Sequence, residues 1–307
     1  MEFRRIFDIL LYQKMTFSKK VALVDGIGLN KETASSSFLM ENTMRVSAGG
    51  LHLGLSRGDR VAIIAQKGSR KWIELDLGLQ QIGVVTVPVS PILEDDIFLD
   101  VLADAQVSIA FVQDRETFDK LEIIKEELAT LKEIFTLEQV PDIKGWKDFI
   151  KEPTPEHHAQ YETFRGLIHE DDLATIVYTN GTTGTPKGVM LSHKNMVSNI
   201  KSILEVIPLK PQHVVVSMLP PHRIFERIAI YTYLAAGATV HFVSPDKTLM
   251  ENIRQIKPHY FTCVPYILEE IYEGLIQGSL TKAPKSFKTL YRAIELGWKY
   301  RDYDKMS

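Results

Sequence analysis

The chain has 307 residues, which is enough for two packed units, although a single large α/β domain also reaches this length. Apolar residues make up 45% of it and charged residues 24%, and this balance excludes a fibrous or largely disordered protein. The net charge of −3 comes without a long basic block, so electrostatic capture of nucleic acid is not indicated. Cys263 is the one cysteine, so an intrachain disulfide is excluded and a reducing compartment is favoured.

At the N-terminus, a short segment combines apolar and basic residues. Phe3, Phe7, Leu10 and Leu11 fall on one face of a helix, with arginines and a lysine nearby. Such a stripe either packs against its own domain or lies on a membrane surface, and the sequence leaves both open. No stretch approaches the roughly 20 apolar residues of a membrane-spanning helix, and no signal peptide is recognisable. We therefore expect a cytoplasmic protein, with peripheral membrane contact as the alternative.

Strands and helices alternate along the first half of the chain. Apolar runs rich in β-branched residues predict strands at 60–64, 84–89, 107–112 and 133–137. The segments between these runs repeat apolar residues with the period of a helix. This alternation is typical of a largely parallel sheet covered by helices on both faces, so we predict an α/β fold.

Composition changes at residues 151–166, where two prolines and a run of polar residues interrupt the apolar rhythm. We interpret this segment as a connection, and we divide the chain into an N-terminal α/β subdomain, 1–165, and a second α/β subdomain, 166–307. His157 and His158 lie in the connection. Adjacent histidines without further spaced ligands are a weak indication of a metal site, so we predict none.

The second half of the chain repeats the alternation. Its predicted strands are at 173–179, 189–193, 213–219, 239–243 and 259–264. Its predicted helices are at 194–207, 224–236, 266–275 and 287–300. Cys263 falls in the last predicted strand, and its apolar surroundings indicate a small buried side chain rather than a nucleophile.

One loop of the second half concentrates unusual chemistry, because residues 178–193 read YTNGTTGTPKGVMLSH. The loop follows a predicted strand, and open α/β sheets usually bind ligands at the carboxyl ends of their strands. Gly181, Gly184 and Gly188 allow close backbone approach, so successive amides can surround an anion. The threonines add hydroxyl donors and Lys187 adds a cation, so the loop is suited to polyphosphate.

Two other interpretations of this loop compete with polyphosphate binding. A Walker P-loop requires a glycine five residues after its first glycine, followed by lysine and then serine or threonine. The corresponding residues here are Pro186, Lys187 and Gly188, so that motif is excluded. A plain hairpin turn rich in glycine and threonine stays open as the structural alternative.

The same stretch closely resembles the signature loop of adenylate-forming enzymes, the superfamily of acyl-CoA synthetases, luciferases and peptide-synthetase adenylation domains. Residues 219–243 are similar to long-chain fatty acyl-CoA synthetases in particular, and 58–93 resemble the early part of the family's large domain. The resemblance implies that the loop binds the β and γ phosphates of ATP and that Lys187 is catalytic. The implied phosphate-binding residues are Thr179, Asn180, Gly181, Thr182, Thr183, Gly184 and Lys187.

The resemblance also implies a reaction and its small-molecule substrates, which are ATP, a fatty acid and CoA, with Mg²⁺ accompanying the phosphates. In the family, a carboxylate attacks the α phosphate of ATP to give acyl adenylate and pyrophosphate, and the CoA thiol then displaces AMP. Lys187 and the backbone N–H groups would reduce the repulsion between the two anions and stabilise the departing pyrophosphate.

Two positions depart from the family pattern. Asn180 stands where serine is usual, and although its carboxamide still donates a hydrogen bond, it is larger. The long-chain enzymes read approximately L-P-x-S-H-I-F-E-R at residues 219–227, whereas this chain reads LPPHRIFER. Arg223 thus occupies the histidine position and His222 precedes it. Because that histidine lies near the acyl site in relatives, His222 and Arg223 are acyl-site candidates, with a helix-cap role as the alternative for His222.

The sequence ends before several motifs of the family, including the adenine-binding motif, the ribose-binding aspartate and the C-terminal lid domain. We therefore predict the N-terminal part of a long-chain fatty acid:CoA ligase, inactive by itself. The alternative within enzymes is a fatty acyl-AMP ligase that passes its acyl group to a carrier protein. The alternative outside enzymes is a short non-catalytic protein that binds nucleotide or an acyl chain.

Overall fold

The computed structural model describes residues 2–28, 31–179, 186–244, 249–282 and 284–299. The chain forms two units, Met1–Thr262 and Cys263–Ser307. The first unit contains the sheets, and the described part of the second is helical. Within the described residues, no helix combines the length and the apolar character that crossing a membrane requires.

The strands of the first unit form two sheets. The described strands are, in chain order, β1 (Leu23–Asp25), β2 (Glu32–Ala34), β3 (Arg60–Ile64), β4 (Val85–Val89), β5 (Ile109–Val112), β6 (Glu133–Thr136), β7 (Leu173–Thr179), β8 (Lys187–Ser192), β9 (Val214–Ser217), β10 (Thr239–Phe242) and β11 (Tyr260–Phe261). One sheet has the order β6-β5-β3-β4-β7-β8 and the other β11-β9-β10-β1-β2. The β7–β8 and β1–β2 pairs are antiparallel, and the other neighbouring strands are parallel.

Helices flank the two sheets. The described helices are α1 (Asp8–Thr16), α2 (Ser36–His52), α3 (Arg70–Gln80), α4 (Asp95–Asp104), α5 (Arg115–Ile124), α6 (Trp146–Phe149), α7 (Pro155–Leu167), α8 (His193–Val206), α9 (Ile224–Ala235), α10 (Leu249–Ile256), α11 (Pro265–Lys282) and α12 (Pro284–Lys299). The last two belong to the second unit. Mostly parallel sheets flanked by helices confirm the predicted α/β fold.

Both faces of the six-stranded sheet are buried. Along β3, Val61 and Ile63 belong to a large apolar cluster, whereas Ala62 and Ile64 belong to a second cluster. Successive side chains of a strand point to opposite faces, so the two clusters lie on opposite sides of the sheet. This explains why β3 reads as a continuous apolar run and does not alternate with polar residues.

Each predicted strand of both halves overlaps a strand of the structure, although several of the observed strands are shorter than predicted. The last prediction, 259–264, contains the two-residue strand β11, and Cys263 lies beyond it, half-buried. β1 and β2 were not predicted, because three residues are too few to show a period.

The predicted connection at 151–166 contains helix α7, not an irregular linker. The Thr154 hydroxyl caps the helix by accepting a hydrogen bond from the His157 N–H. Pro155 occupies the first helical position, where its missing N–H costs no hydrogen bond. His157 is therefore part of a helix, where the sequence suggested a loop.

Both sheets join strands from the two sides of residue 165. β4 pairs with β7 in the six-stranded sheet, and in the other sheet Leu23 of β1 lies opposite Val240 of β10. The division into subdomains 1–165 and 166–307 stays a prediction.

The apolar N-terminal stripe packs against its own unit. Phe3, Phe7 and Leu10 are buried in the large apolar cluster, and Leu11 is half-buried beside them. The rings of Phe3 and Tyr12 lie 5.3 Å apart, which adds an aromatic contact at this end of α1. Of the two alternatives for this stripe, packing within the domain is the one that the structure supports.

Candidate functional site

The predicted phosphate-binding loop connects the two strands of the β7–β8 hairpin. Thr179 and Lys187 lie opposite each other at the loop end of this antiparallel ladder. Residues of directly opposed antiparallel strands are about 5 Å apart between Cα atoms, so both ends of the loop start from one place. The other predicted ligands, Asn180, Gly181, Thr182, Thr183 and Gly184, lie outside the described residues.

Lys187 presents its charge to solvent. The residue is exposed, as are Thr179 and Gly188. Within the described part of the chain, no ion pair reaches Lys187, so no carboxylate of that part competes with an anion at this end of the hairpin. A lysine ammonium on a flexible stem can follow a bound anion over several positions.

Packing requires a glycine at position 188, in addition to the backbone freedom that the sequence suggested. A Cβ atom at this position would lie 2.9 Å from Cγ2 of Ile176 and 3.1 Å from Cζ of Tyr178 on the facing strand. Any side chain here would push β8 away from β7 or displace the Tyr178 ring. The glycine therefore keeps the two ends of the loop in register.

The hairpin loop leaves the six-stranded sheet at the carboxyl edge of its parallel strands. β7 runs parallel to β4, with Thr86 opposite Thr175, and β4 runs parallel to β3. The carboxyl ends of these strands meet at one edge, where α/β sheets bind ligands. Thr179 and Lys187, the two ends of the loop, thus lie at the edge that the sequence predicted.

The carboxyl ends of strands in the five-stranded sheet contact the loop between β3 and α3, which lies at the carboxyl edge of the six-stranded sheet. His222, which follows β9, has its Nδ1 3.3 Å from the carbonyl oxygen of Ala65. A Cβ atom on Gly68 would lie 3.0 Å from Cδ1 of Phe242, the last residue of β10. The Arg70 N–H donates to the carboxylate of Asp25, the last residue of β1, at 3.0 Å. Residues 65–70 therefore form the junction of the two carboxyl edges.

Two open clefts flank this junction, with volumes of about 330 Å³ and 450 Å³. Asp25, Gly26, Lys67 and Gly68 line both of them. The charged side chains of these walls suit a polar ligand. An aliphatic tail would remove the water that solvates these side chains, which costs free energy. Neither cleft is therefore assigned to the predicted acyl site.

His222 is half-buried and its tautomer is defined by its neighbour. A carbonyl only accepts hydrogen bonds, so Nδ1 of His222 carries the proton that it donates to Ala65. Burial lowers the pKa of His222, the hydrogen bond to Ala65 opposes this, and the nearby charge of Arg223 lowers the pKa further. A neutral imidazole in this tautomer leaves Nε2 as an acceptor.

Arg223 occupies the N-cap position of α9 and is exposed. Its side chain makes no capping hydrogen bond, so the guanidinium is not used to begin the helix. Because the N-cap is Arg223, the helix-cap alternative for His222 does not fit the structure. The two acyl-site candidates are adjacent, and their role at an acyl site stays a prediction.

Glu226, in the first turn of α9, is a fully buried carboxyl group. It accepts hydrogen bonds from Oγ of Ser217 at 2.5 Å and from Oγ1 of Thr262 at 2.6 Å. Burial raises the pKa of Glu226, and these hydrogen bonds, with those from the backbone amides of Met218 and Leu219, oppose the increase. The carboxyl group thus fixes the start of the segment that carries His222.

Arg227, the next residue, is also fully buried and forms an ion pair with Asp76 of α3. Nε and Nη2 reach the two carboxylate oxygens at 3.0 Å and 2.6 Å, which is a bidentate arrangement. Nη1 donates to Oγ1 of Thr175 at 2.7 Å, and Nη2 donates to Oγ1 of Thr86 at 2.9 Å. Tyr231 also donates to Asp76.

Sequence reasoning did not find this buried network. One signal was present, because Glu74 and Asp76 interrupt the apolar run of α3, and charged residues are rarely buried unless they are paired. The partners could not be identified, since Arg227 lies 151 positions from Asp76.

Metal ligands do not converge in the part of the chain that the structure describes. No three histidine, cysteine, aspartate or glutamate side chains there could hold an ion together.

Together these features belong to an α/β protein with a candidate ligand site where the carboxyl edges of its two sheets meet. The model of the AMP-binding enzyme family matches residues 12–297, and the chain belongs to this family. This confirms the predicted membership of the adenylate-forming enzymes.

Alignments with curated relatives include most of this chain, but this chain spans less than half the length of those relatives. Long chain acyl-CoA synthetase 3 of Arabidopsis thaliana is 30% identical over 243 residues, which are 73% of this chain and 36% of that protein. A long-chain-fatty-acid–[acyl-carrier-protein] ligase from the same plant, AEE15, chloroplastic, is 26% identical over 94% of this chain and 42% of its own length.

Solved structures share the fold. A long-chain-fatty-acid-CoA ligase from Archaeoglobus fulgidus superposes with a TM-score of 0.73 at 20% sequence identity. The match covers 90% of this chain and 54% of that chain. At this identity the similarity concerns the fold alone.

Proposed function

We propose that this chain carries the ATP-phosphate site and part of the acyl site of a long-chain fatty acid:CoA ligase. Membership of the AMP-binding enzyme family and the relatives named long-chain acyl-CoA synthetases support this function. The observation that carries it is the pairing of Thr179 with Lys187 at the carboxyl edge of the sheet. This pairing brings a hydroxyl and a cation to the two ends of a loop rich in backbone donors.

In the proposed reaction, a fatty-acid carboxylate attacks the α phosphate of ATP, forming acyl adenylate and releasing pyrophosphate. The CoA thiol then attacks the acyl carbonyl and AMP leaves. Adenylation is needed because a free carboxylate would have to lose oxide, whereas AMP is a stable leaving group. Lys187 has the catalytic role of binding the β and γ phosphates and stabilising charge on the leaving pyrophosphate.

Thr179, Asn180, Gly181, Thr182, Thr183 and Gly184 are the proposed phosphate ligands beside Lys187. His222 and Arg223 are proposed to face the fatty-acid carboxylate, where a cation and a neutral imidazole would reduce its repulsion from ATP. Mg²⁺ is proposed to accompany the ATP phosphates, and CoA is the proposed acyl acceptor.

Binding of magnesium pyrophosphate to the purified chain tests this proposal. We expect Lys187→Ala to weaken binding on the order of ten- to a hundred-fold, the usual effect of losing a hydrogen bond to a charged group. Isothermal titration calorimetry at fixed ionic strength measures the affinity.

Lys194→Ala is the matched control. Lys194 is another exposed lysine, near Asp171 and Glu170 at the opposite end of β8. Removing its charge leaves the hairpin loop unchanged, so we expect affinity close to that of the wild type. Equal losses in the two variants would contradict a specific role for Lys187 and leave only a general charge effect.

A carrier protein is the second candidate for the acyl acceptor, and one relative is named an acyl-carrier-protein ligase. Its test is product analysis of a protein with the full length of the relatives, supplied with palmitate, ATP and either CoA or acyl-carrier protein. If the carrier protein is acylated and no acyl-CoA forms, the carrier protein and not CoA is the acyl acceptor. If no adenylate forms although the nucleotide binds, the non-catalytic binding protein becomes the better interpretation.

A further inference from the structure

Two adjacent buried charges at the start of α9 are turned towards different elements. Glu226 contacts Ser217 at the end of β9 and Thr262 just after β11. Arg227 contacts Asp76 of α3 and the hydroxyl group of Thr175 on β7. The first turn of α9 is thus bound to both sheets through side chains.

The Arg227 guanidinium bridges the two neighbouring strands β4 and β7. Its hydrogen bonds reach Oγ1 of Thr86 and Oγ1 of Thr175, and these two residues are paired in the sheet. The Thr175 hydroxyl in turn donates to the carbonyl of Thr86 at 2.6 Å. A planar guanidinium with fixed donor directions defines an orientation as well as a distance.

Both parts of the candidate site lie a short stretch of chain away from this contact. Thr175 precedes Thr179 by four residues on β7, which is about 13 Å at the rise of a strand. His222 precedes Arg227 by five residues, and Glu226 fixes the intervening turn. The Arg227 side chain therefore links β7, the strand that leads into the predicted phosphate-binding loop, to α9, the helix that follows His222.

Stability alone does not account for a fully buried ion pair here. Removing two charges from water costs free energy that their attraction only partly offsets, and well-packed apolar residues often replace such pairs without loss. Aspartate, arginine and two threonines in one network instead restrict the relative placement of α3, α9, β4 and β7.

We propose that Arg227 is a positioning residue, which through Asp76 and Thr175 holds β7, and with it Thr179 and the paired Lys187, at a set distance from the His222 segment. The inference rests on the proposed function, because it concerns the geometry of that site. Arg227 touches none of the reacting groups and acts through the strand.

Substitutions of Thr175 test the link without removing a buried charge. Thr175→Val keeps the shape of the side chain and loses the hydroxyl, whereas Thr175→Ser keeps the hydroxyl. The readouts are the affinity of the purified chain for magnesium pyrophosphate, hydrogen exchange of the amides of residues 176–179, and the urea midpoint.

We expect Thr175→Val to weaken pyrophosphate binding about ten-fold, the effect of one lost buried hydrogen bond, and to speed exchange at the end of β7. Thr175→Ser should restore both. Ile200→Val, in the large apolar cluster on α8, is the control for stability, because it lowers the urea midpoint without touching the network. We expect its affinity for pyrophosphate to equal that of the wild type.

Wild-type affinity together with unchanged exchange in Thr175→Val would overturn the positioning role and leave the proposed function standing. Failure of the wild-type chain itself to bind pyrophosphate would remove the proposed function, and the positioning role would fall with it. Loss of affinity in Ile200→Val as large as in Thr175→Val would also overturn the inference, since stability would then explain both.

Discussion

His193 shows how strongly a single residue can respond to its surroundings in this protein. It is the first residue of α8 and is buried, with its ring edge-on to Phe7 at 5.4 Å. Its Nδ1 accepts a hydrogen bond from the N–H of Ile6 at 3.4 Å. Burial and the nearby Arg5 charge lower the pKa of His193 to about 4. The imidazole is therefore neutral in the folded protein at neutral pH.

The stability of the protein should consequently depend on His193 below neutral pH. Between the ordinary pKa of 6.5 and about 4, the unfolded chain binds a proton that the folded chain does not, so the free energy of unfolding falls as the pH falls. His193→Gln removes this dependence. We expect the stability advantage of wild type over the variant to shrink by about 2 kcal/mol between pH 7 and pH 5, measured by urea unfolding.

The exposed His158 of α7 provides the control, as His158→Gln removes an imidazole from the surface. A constant difference between wild type and His193→Gln across this pH range would mean that His193 has the same pKa in the folded and unfolded states, contrary to the expected outcome.

At the scale of elements, strands buried on both faces were predictable and the contacts between distant elements were not. Apolar runs such as 60–64 identified the parallel strands, because both faces of that sheet are covered. The two prolines and polar residues of 151–166 predict a connection, whereas Pro155 stands at the first position of helix α7, where proline is compatible with a helix. The position of the hairpin loop could be predicted, but the Asp76–Arg227 pair depends on tertiary packing that no local pattern contains.

Helices α2 and α3 approach each other closely at Gly78. A Cβ atom at Gly78 would lie 2.6 Å from Cβ of Val46 and 2.7 Å from the carbonyl oxygen of Thr43. The Ser47 hydroxyl also donates to the carbonyl of Gly78 at 2.7 Å. Backbone and side chains on α2 thus leave no space for a methyl group on α3.

We expect Gly78→Ala to lower the free energy of unfolding by about 1–3 kcal/mol, because the two helices would have to move apart. Gly166→Ala is the control, since a Cβ atom at Gly166 in α7 meets nothing within 4 Å. There alanine should be neutral or stabilise by up to about 1 kcal/mol. The urea midpoints of both variants measure these changes in stability. Equal stability of Gly78→Ala and wild type would show that α2 and α3 can separate without cost.

At the scale of the whole molecule, the chain combines two mostly parallel sheets with less than half the length of its curated relatives. The predicted phosphate-binding loop and the His222 segment both belong to the unit Met1–Thr262. Binding of phosphate groups depends on such local donors. Reaction requires that a carboxylate and the α phosphate be aligned as well, and alignment draws on every group that contacts the nucleotide.

We therefore propose that the purified 307-residue chain binds pyrophosphate yet forms no detectable palmitoyl-CoA. Incomplete positioning can cost several orders of magnitude in rate. The measurement is incubation with ATP, Mg²⁺, palmitate and CoA, followed by mass spectrometry, with a relative of full length as positive control. Palmitoyl-CoA above a blank without protein, and persisting after host ligases are removed, would show that this chain contains a working site.

The parallel pairing of Leu23 with Val240 also constrains how the chain folds during synthesis. The two residues are about 220 positions apart, so the five-stranded sheet closes through contacts of high sequence separation, which form slowly. At translation rates of about 5–20 residues per second, β1 waits roughly 10–40 s for its neighbour. β2 follows β1 directly and covers one of its edges, so until β10 is made only the other edge of this three-residue strand can pair with other chains, which exposes the nascent chain to aggregation at that edge.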